Sequence, residues 1–320
     1  MNTLNLQPLI PSLIELNVRS CLVVHKGTTI VEYYRKPMLA SQLGKINSCT
    51  KSMLSALVCI AIDQQIIPHP DTPIIEFFPQ LSEDNDTRKR EITIAHLLTL
   101  SAGFHWNEFG GLNSFPTMTK SADWVQFVLS QPLSDPPGTR MVYNSGCSQL
   151  LAAILRQASG QSVAKFAEQQ LFKYLGITAY RWEMDPQGIH TGGFGLHLKP
   201  KDMAKLGLLY LQEGNWEGRQ LLLPATIERS TTPQLEADKP YKGFYGWHWW
   251  ISSFSNESNP PTQVPFHMAL GFGGQYIVVV PSYELVVVIT SDNKKRNTSL
   301  DVFRQYILPL LVNSARPINI

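Results

Sequence analysis

The hydrophobic residues of the chain follow a strand-like period first, then a helical period, and finally a strand-like period again. Apolar residues at 21–24 and 29–31 flank a turn-like sequence at 25–28, which predicts a β-hairpin. From Ser48 the apolar residues keep helical spacing until Pro68, so we expect a helix that begins at Ser48.

Between Pro68 and Pro240 most patterns are helical, and Gly and Pro residues separate them. The segments with helical spacing are 93–100, 121–129, 149–158, 163–174 and 200–212. Strand-like segments follow at 245–251, 274–280 and 284–290, and a closing helix is predicted at 300–311. We therefore predict one sheet domain formed by residues 1–66 and 241–320, with a mostly helical inserted domain at 67–240.

Composition and charge argue against several classes of protein. The 320 residues suffice for one or two domains, and 43% hydrophobic with 16% charged residues is typical of a globular protein. A net charge of +2 from scattered Lys and Arg does not favour nucleic acid as a partner. No apolar stretch reaches membrane-spanning length, and residues 1–16 lack the features of a secretory signal. We therefore expect a cytoplasmic protein.

The cysteine, histidine and acidic residues give no sign of a metal site. The four cysteines form no CxxC pair, and His, Asp and Glu show no cluster with ligand spacing. We expect buried free thiols, no metal and no cofactor; the cysteines are Cys21, Cys49, Cys59 and Cys147.

The first candidate for chemistry is a hydroxyl and an amine three residues apart, Ser48 and Lys51, at the expected helix start. Residues with this spacing share a helix face, so the amine can accept the proton of the hydroxyl if burial or a neighbouring cation lowers its pKa. Two other Ser-x-x-Lys sequences begin at Ser162 and Ser291, where a helix cap and a turn explain them. Spacing alone therefore does not identify the nucleophile.

A second element is the Gly-rich segment 138–146, which contains Tyr143, a phenol that can relay protons. Together with Ser48 and Lys51, the sequence Tyr143-Asn144-Ser145 resembles the Tyr-x-Asn motif of the serine β-lactamase and penicillin-recognising superfamily. The likeness is to its class C-like branch, which includes esterases, D-aminopeptidases and 6-aminohexanoate-dimer hydrolases. Further blocks that resemble this branch lie at 95–103, 136–138, 199–204 and 245–250.

The resemblance covers nearly the whole chain and implies a β-lactamase/transpeptidase-like fold. This is an α/β (α+β) architecture in which helices flank an antiparallel sheet. It also implies that Ser48 is the nucleophile, with Lys51 and Tyr143 as general base and acid. Many relatives have an asparagine at the position of Ser145, and there the motif helps to hold the substrate. The resemblance therefore implies a substrate-holding role for Ser145, although its side chain differs.

The third motif of the family, Lys/His-Thr-Gly, falls at 269–271, where the sequence is Ala-Leu-Gly and the cation is missing. In relatives that cation helps to hold a substrate carboxylate, so the resemblance implies weak or absent β-lactamase activity. His267, close in sequence, can either take the place of this missing cation or serve as a structural residue. The family also forms an oxyanion hole from backbone N–H groups of this strand and of the nucleophile, which implies such a role for Gly271, Phe272 and Gly273 beside Ser48.

The expected function is hydrolysis of an ester, amide or peptide-like small molecule through an acyl-enzyme on Ser48. A penicillin-binding D-peptidase or a weak β-lactamase is the alternative among enzymes. A scaffold or binding protein of the same fold is the alternative outside them, although Ser48, Lys51 and Tyr143 are all present. The sequence does not indicate an oligomeric state.

Overall fold

The structure is a computed structural model that describes residues 9–255, 261, 263–292, 300 and 302–309. Its α-helices are α1 Leu9–Glu15, α2 Cys49–Asp63, α3 Ile94–Leu98, α4 Phe115–Met118, α5 Trp124–Leu129, α6 Ser145–Ser159, α7 Val163–Ala167, α8 Lys173–Leu175, α9 Pro200–Leu211 and α10 Pro224–Thr231. Its strands are β1 Ser20–His25, β2 Thr28–Tyr34, β3 Gly44–Lys45, β4 Arg181–Trp182, β5 Leu196–Leu198, β6 Asn215–Trp216, β7 Arg219–Gln220, β8 Leu235–Ala237, β9 Gly243–Tyr245, β10 Trp250–Ser255, β11 Gln263–Gly271, β12 Gln275–Val280 and β13 Leu285–Thr290.

An eight-stranded sheet in the order β2-β1-β13-β12-β11-β10-β9-β8 forms the centre of the molecule, and all neighbouring strands are antiparallel. The predicted hairpin joins β1 to β2, and positive φ angles of 51° at Lys26 and 75° at Gly27 suit a two-residue turn. Strands β12 and β13 are buried at every position, so both faces of the sheet are covered there. The predicted antiparallel sheet flanked by helices is confirmed.

Helix α2 is buried continuously from Cys49 to Ala61. It packs against β11 and β12 of the sheet on one side and against α6 on another. A helix that is covered all round needs few polar residues, yet α2 carries Ser48, Lys51, Ser52 and Ser55 at its N-terminal end. Polar groups in such a place require internal partners, and the structure supplies them.

Helix α9 and strand β8 fall inside the range 67–240 that the sequence analysis assigned to the inserted domain. However, α9 packs against β1, β12 and β13, and β8 pairs with β9 at the edge of the main sheet. These two elements therefore contact the sheet, and the domain boundary at residue 240 stays a prediction. Helical spacing showed that α9 has an apolar face, but it could not show that this face covers the sheet.

The predicted strand at 245–251 is interrupted by a turn between β9 and β10. His248 has a positive φ of 58°, and the backbone carbonyls at 247 and 248 accept hydrogen bonds from the side chains of α2, from Ser55 at 2.8 Å and from Ser52 at 2.7 Å. These bonds tie the turn to the buried helix, which the alternating Trp residues of this segment did not reveal.

At the C-terminal end, residues 302 and 308–309 are α-helical around a π-helical turn at Phe303–Ile307. Residues 301, 310 and 311 of the predicted closing helix lie outside the described residues. No helix in the described part of the chain is long and apolar enough to cross a membrane.

The contact of α9 with the sheet can be tested at Gly207. A Cβ atom at this position would lie 2.6 Å from Val286 Cγ1 and 3.0 Å from Ile277 Cγ2, which are fixed core atoms. We expect Gly207→Val to lower the free energy of unfolding by about 2 kcal/mol, measured by urea denaturation, because overpacking strains a close-packed core. Lys201→Val introduces the same side chain at an exposed position of α9. This variant should lower the free energy of unfolding by about 1 kcal/mol or less. Equal losses in both variants would contradict this packing.

Candidate active site

Ser48 is the N-cap residue of α2, as the sequence predicted. The chain enters the helix through Asn47, whose positive φ of 49° is uncommon outside glycine but tolerated by asparagine. The Asn47 side chain donates a hydrogen bond of 2.7 Å to the carbonyl oxygen of Phe272, and Thr50 Oγ1 donates one of 2.7 Å to the carbonyl oxygen of Asn47. The backbone around Ser48 is thus fixed from both sides.

Lys51 lies in the first turn of α2 and has 1% of its surface exposed. Its Nζ donates to Ser145 Oγ at 2.8 Å and to the carbonyl oxygen of Gly193 at 3.0 Å, and it lies 4.7 Å from the centre of the Tyr143 ring. Burial lowers the pKa of Lys51 to about 8, and the negative charge of Glu108 opposes this shift. The amine is therefore mostly protonated at pH 7, and its neutral fraction grows as the pH rises through about 8.

Tyr143 immediately precedes α6, whose N-cap is Asn144. Its ring stacks on Trp250 with 5.8 Å between the ring centres. Burial, with the charge of Glu108 adding to it, raises the pKa of Tyr143, and hydrogen bonding by Ser48 counters part of the rise. The phenol therefore keeps its proton over the pH range in which Lys51 titrates.

Ser145 connects the lysine to a buried carboxylate, that of Glu108. The Ser145 hydroxyl donates a short hydrogen bond to Glu108 Oε1, and the Ser145 backbone N–H donates to Oε2 at 2.9 Å. Trp106 Nε1 donates to the same Oε2 at 2.8 Å. The hydroxyl of Ser145 is thus held between Lys51 and Glu108, in a position where many relatives carry an asparagine amide.

The end of β11 lies beside the start of α2. A Cβ atom at Gly271 would lie 2.4 Å from the carbonyl oxygen of Ile46, so this close approach requires glycine. Gly273 and Gly274 follow with positive φ angles of 76° and 88° and turn the chain into β12. Gly271, Phe272 and Gly273 line the same cavity as Ser48 and Tyr143, so the structure brings these predicted residues together.

The structure does not bring His267 to this cavity. Its ring lies 5.2 Å from Trp249 and 6.2 Å from Tyr210 of α9, measured between ring centres, and burial lowers its pKa to about 3. Residue 267 is four positions before Gly271 on β11, which places it about 13 Å away along the strand. A compensating role for His267 as a substrate-binding cation is therefore wrong, because a neutral, enclosed imidazole cannot supply it.

The remaining sequence candidates behave as structural residues. Ser162 caps α7 by accepting a hydrogen bond from Lys165 N at 3.2 Å. Ser291 ends a strand, but Lys294 lies outside the described residues. All four cysteines are buried free thiols, and the described residues contain no group of His, Cys, Asp and Glu able to hold a metal ion.

Comparisons with known proteins identify the family and the fold of the chain. A model of the Beta-lactamase family matches residues 19–310. The chain belongs to the beta-lactamase family. Among the relatives of this beta-lactamase-family chain is an Escherichia coli K12 protein named "Putative D-alanyl-D-alanine carboxypeptidase", 24% identical over 236 residues. The match covers 72% of this chain and 51% of that protein, so the chain spans about half the length of this relative.

Two solved structures show the same fold as this beta-lactamase-family protein. A Bacillus anthracis structure named "Putative 6-aminohexanoate-dimer hydrolase" has a TM-score of 0.78 at 20% identity, over 94% of this chain and 80% of that one. A class C beta lactamase from Rhodobacter sphaeroides has a TM-score of 0.69 at 16% identity, over 96% of this chain and 98% of that one. The predicted resemblance to the class C-like branch is confirmed at the level of family and fold.

Sequence reasoning missed two residues of the site, Glu108 and Gly193. Glu108 lies in an irregular loop that has neither a motif nor a period. Gly193 follows Gly192, and a Cβ atom there would lie 3.1 Å from Lys51 Nζ and 3.0 Å from Ser145 Oγ. The adjacent glycines at 192 and 193 were the available signal, since such pairs often mark a close approach of backbone to a functional group.

The electrostatic link between Glu108 and Lys51 predicts a measurable shift. Because the negative charge of Glu108 raises the pKa of Lys51, Glu108→Gln should lower that pKa from about 8. We expect a decrease of about 1 unit or more, measured by the pH titration of the Lys51 side chain with ¹³C NMR. As a matched control, Glu183→Gln removes the partner of Lys45, 2.9 Å from its Nζ, and should leave the Lys51 titration in place. An unchanged Lys51 pKa in Glu108→Gln would show that the charge of Glu108 does not raise the pKa of Lys51.

Proposed function

We propose that this protein is a serine hydrolase that cleaves an ester or amide bond through an acyl-enzyme on Ser48. The observation that carries the proposal is the environment of Lys51, a buried amine with a pKa of about 8 one helical turn from the nucleophile. Family membership supports a hydrolase of the serine β-lactamase and penicillin-binding type. The roles of individual residues are part of our proposal.

Lys51 is the general base in this mechanism. A neutral amine has two N–H groups and one lone pair, and both N–H groups are used by Ser145 Oγ and the Gly193 carbonyl. The lone pair is then left for the hydroxyl of Ser48. The proton of the Ser48 hydroxyl moves to Lys51 as Ser48 Oγ forms a bond to the substrate carbonyl carbon.

Tyr143 is the general acid for the leaving group. The raised pKa of Tyr143 keeps the phenol protonated while Lys51 is neutral. Tyr143 can therefore donate a proton, whereas Lys51 can accept one. When the tetrahedral intermediate collapses, the bond to the leaving oxygen or nitrogen breaks and that atom takes a proton from Tyr143, which regains one from Lys51. A water molecule then attacks the acyl-enzyme, and its proton passes by the same groups to Ser48.

The developing oxyanion needs hydrogen-bond donors that are already in place. The backbone N–H groups of Ser48 and Phe272 suit this role, because α2 begins at the first and β11 ends just before the second. Gly271 permits the approach of the two elements, and the bond from Asn47 to the Phe272 carbonyl keeps the pair aligned.

A penicillin-binding D-peptidase or a weak β-lactamase is the second candidate, and the names of relatives favour it. The missing cation at 269–271 weighs against a substrate with a carboxylate, and His267 does not replace it. Hydrolysis of a D-alanyl-D-alanine peptide or of nitrocefin faster than of p-nitrophenyl esters would favour this candidate. A protein that no fluorophosphonate probe labels would instead fit a non-catalytic scaffold.

The nucleophile assignment predicts the behaviour of Ser48→Ala. This variant should lose labelling by a fluorophosphonate probe and lose hydrolysis of p-nitrophenyl esters by about 10³-fold or more, while its circular dichroism is unchanged. Ser162→Ala is the matched control, because it removes a hydroxyl from another Ser-x-x-Lys sequence. It should keep turnover within a few-fold and lose only the stability of a helix cap, about 1 kcal/mol. Full activity of Ser48→Ala would disprove the assignment.

The proposed proton transfers predict both the pH profile and the double-variant behaviour. The value of kcat/KM should rise with pH through an apparent pKa near 8, because the protonated Lys51 amine cannot accept a proton. Lys51→Ala and Tyr143→Phe should each lower kcat by about 10²-fold or more, and the combined variant should lose much less than the product of the two. A Tyr143→Phe variant with wild-type kcat and pH profile would remove tyrosine from the mechanism.

A further inference from the structure

The cavity that contains Ser48 has a volume of about 580 Å³, a size common for small-molecule sites. Apart from the catalytic groups and the glycine turn, its walls are largely apolar and aromatic. The side chains that matter for its character are Phe109, Phe115, Phe194, Tyr241, Leu270 and Phe272.

The two charged residues among the described lining already have partners within the protein. Lys45 Nζ donates to both carboxylate oxygens of Glu183, at 3.0 and 2.9 Å. Glu108 accepts hydrogen bonds from Trp106, from the Ser145 backbone and from the Ser145 hydroxyl. A charged group of a substrate would thus have to compete for a partner while losing water, which costs free energy.

Two phenylalanines stand at this cavity with most of their surface in solvent. Phe109 is 71% exposed and Phe272 is 62% exposed, although both line the cavity. Large apolar side chains grouped at the wall of a cavity are typical of a binding surface. They belong to different parts of the fold, Phe109 to the loop before α4 and Phe272 to the turn between β11 and β12.

The reaction decides which part of the substrate meets these side chains. The acyl group stays bonded to Ser48 Oγ after the leaving group departs, so it must fit the cavity that contains Ser48. A second cavity of about 950 Å³, with Arg140, Glu236 and Lys242 in its lining, shares Glu108, Phe109 and Tyr143 with the first. Tyr143 protonates the leaving group, which can therefore be directed toward this charged second cavity.

We propose that the substrate of this protein is an ester or amide with a bulky, apolar and uncharged acyl group, and that Phe109 and Phe272 select this group. The proposal rests on the proposed acyl-enzyme mechanism and adds to it the chemical class of the acyl part. An acyl chain that ends in a carboxylate or an ammonium group would have to displace one of these internal partners to be paired.

Four p-nitrophenyl esters test this selection on the wild-type protein, with each kcat/KM divided by the rate of spontaneous hydrolysis. The acyl groups are acetyl, heptanoyl, 6-aminohexanoyl and adipoyl, of which the last three have similar length and end in a methyl, an ammonium and a carboxylate group. We expect heptanoyl to exceed acetyl by about tenfold or more and to exceed each charged chain by a similar factor.

The same ratios identify the selecting residues. In Phe109→Ala and in Phe272→Ala the heptanoyl-to-acetyl ratio should fall by about threefold or more, and the ratio is the readout because a change that slows both esters equally cancels in it. Leu112→Ala is the matched control, because Leu112 is 85% exposed in the same loop as Phe109 and lines neither cavity. Its ratio should equal that of wild type.

The outcomes separate this proposal from the mechanism on which it rests. Hydrolysis that depends on Ser48 but shows no preference for heptanoyl, or prefers a charged chain, overturns the acyl-group proposal and leaves the mechanism standing. Unchanged ratios in both phenylalanine variants overturn the assignment of the selecting residues. Absence of both hydrolysis and fluorophosphonate labelling overturns the mechanism, and the acyl-group proposal with it.

Discussion

The burial of the Lys51 amine is the constraint on which the rest of the site depends. A lysine enclosed by Tyr143, Ser145 and Gly193 loses much of the hydration that favours its charge, and its pKa falls to about 8. An amine that loses its charge cannot be held by an ion pair, so hydrogen bonds must fix its position. The hydroxyl of Ser145 and the carbonyl of Gly193 provide these bonds, because both accept its N–H groups without adding a charge.

Glu108 sets the other limit on the lysine. Its carboxylate is separated from the amine by one hydroxyl, so it favours the charged amine without forming a direct ion pair. The three donors to the carboxylate balance its own burial, and two of them come from the serine that contacts the lysine. The Ser145 hydroxyl thus donates its only proton to Glu108, and without opening this bond it can hold a substrate amide only by accepting a hydrogen bond from it.

The parts of the site that the sequence predicted are those with local spacing. Ser48 and Lys51 are three residues apart on one helix, and Tyr143 follows a glycine turn, so short patterns suffice to place them. Glu108 could not be found in this way, because its position depends on the long-range folding of an irregular loop. His267 shows the reverse error: it is near Gly271 in sequence, but four residues of extended strand carry it under α9.

The hydrogen bonds from Ser52 and Ser55 to the turn after β9 have a wider meaning for how this molecule can diversify. The turn leads directly into Trp250, on which the ring of Tyr143 rests, so the phenol is braced against the same helix that carries the serine and the lysine. These hydrogen bonds and the ring contact thus link the proposed catalytic groups to one another within the fold. In contrast, four aromatic residues of the cavity wall stand on loops: Phe109, Phe194, Tyr241 and Phe272. New substrates can be acquired by exchanging loops alone, with the reacting atoms kept in register.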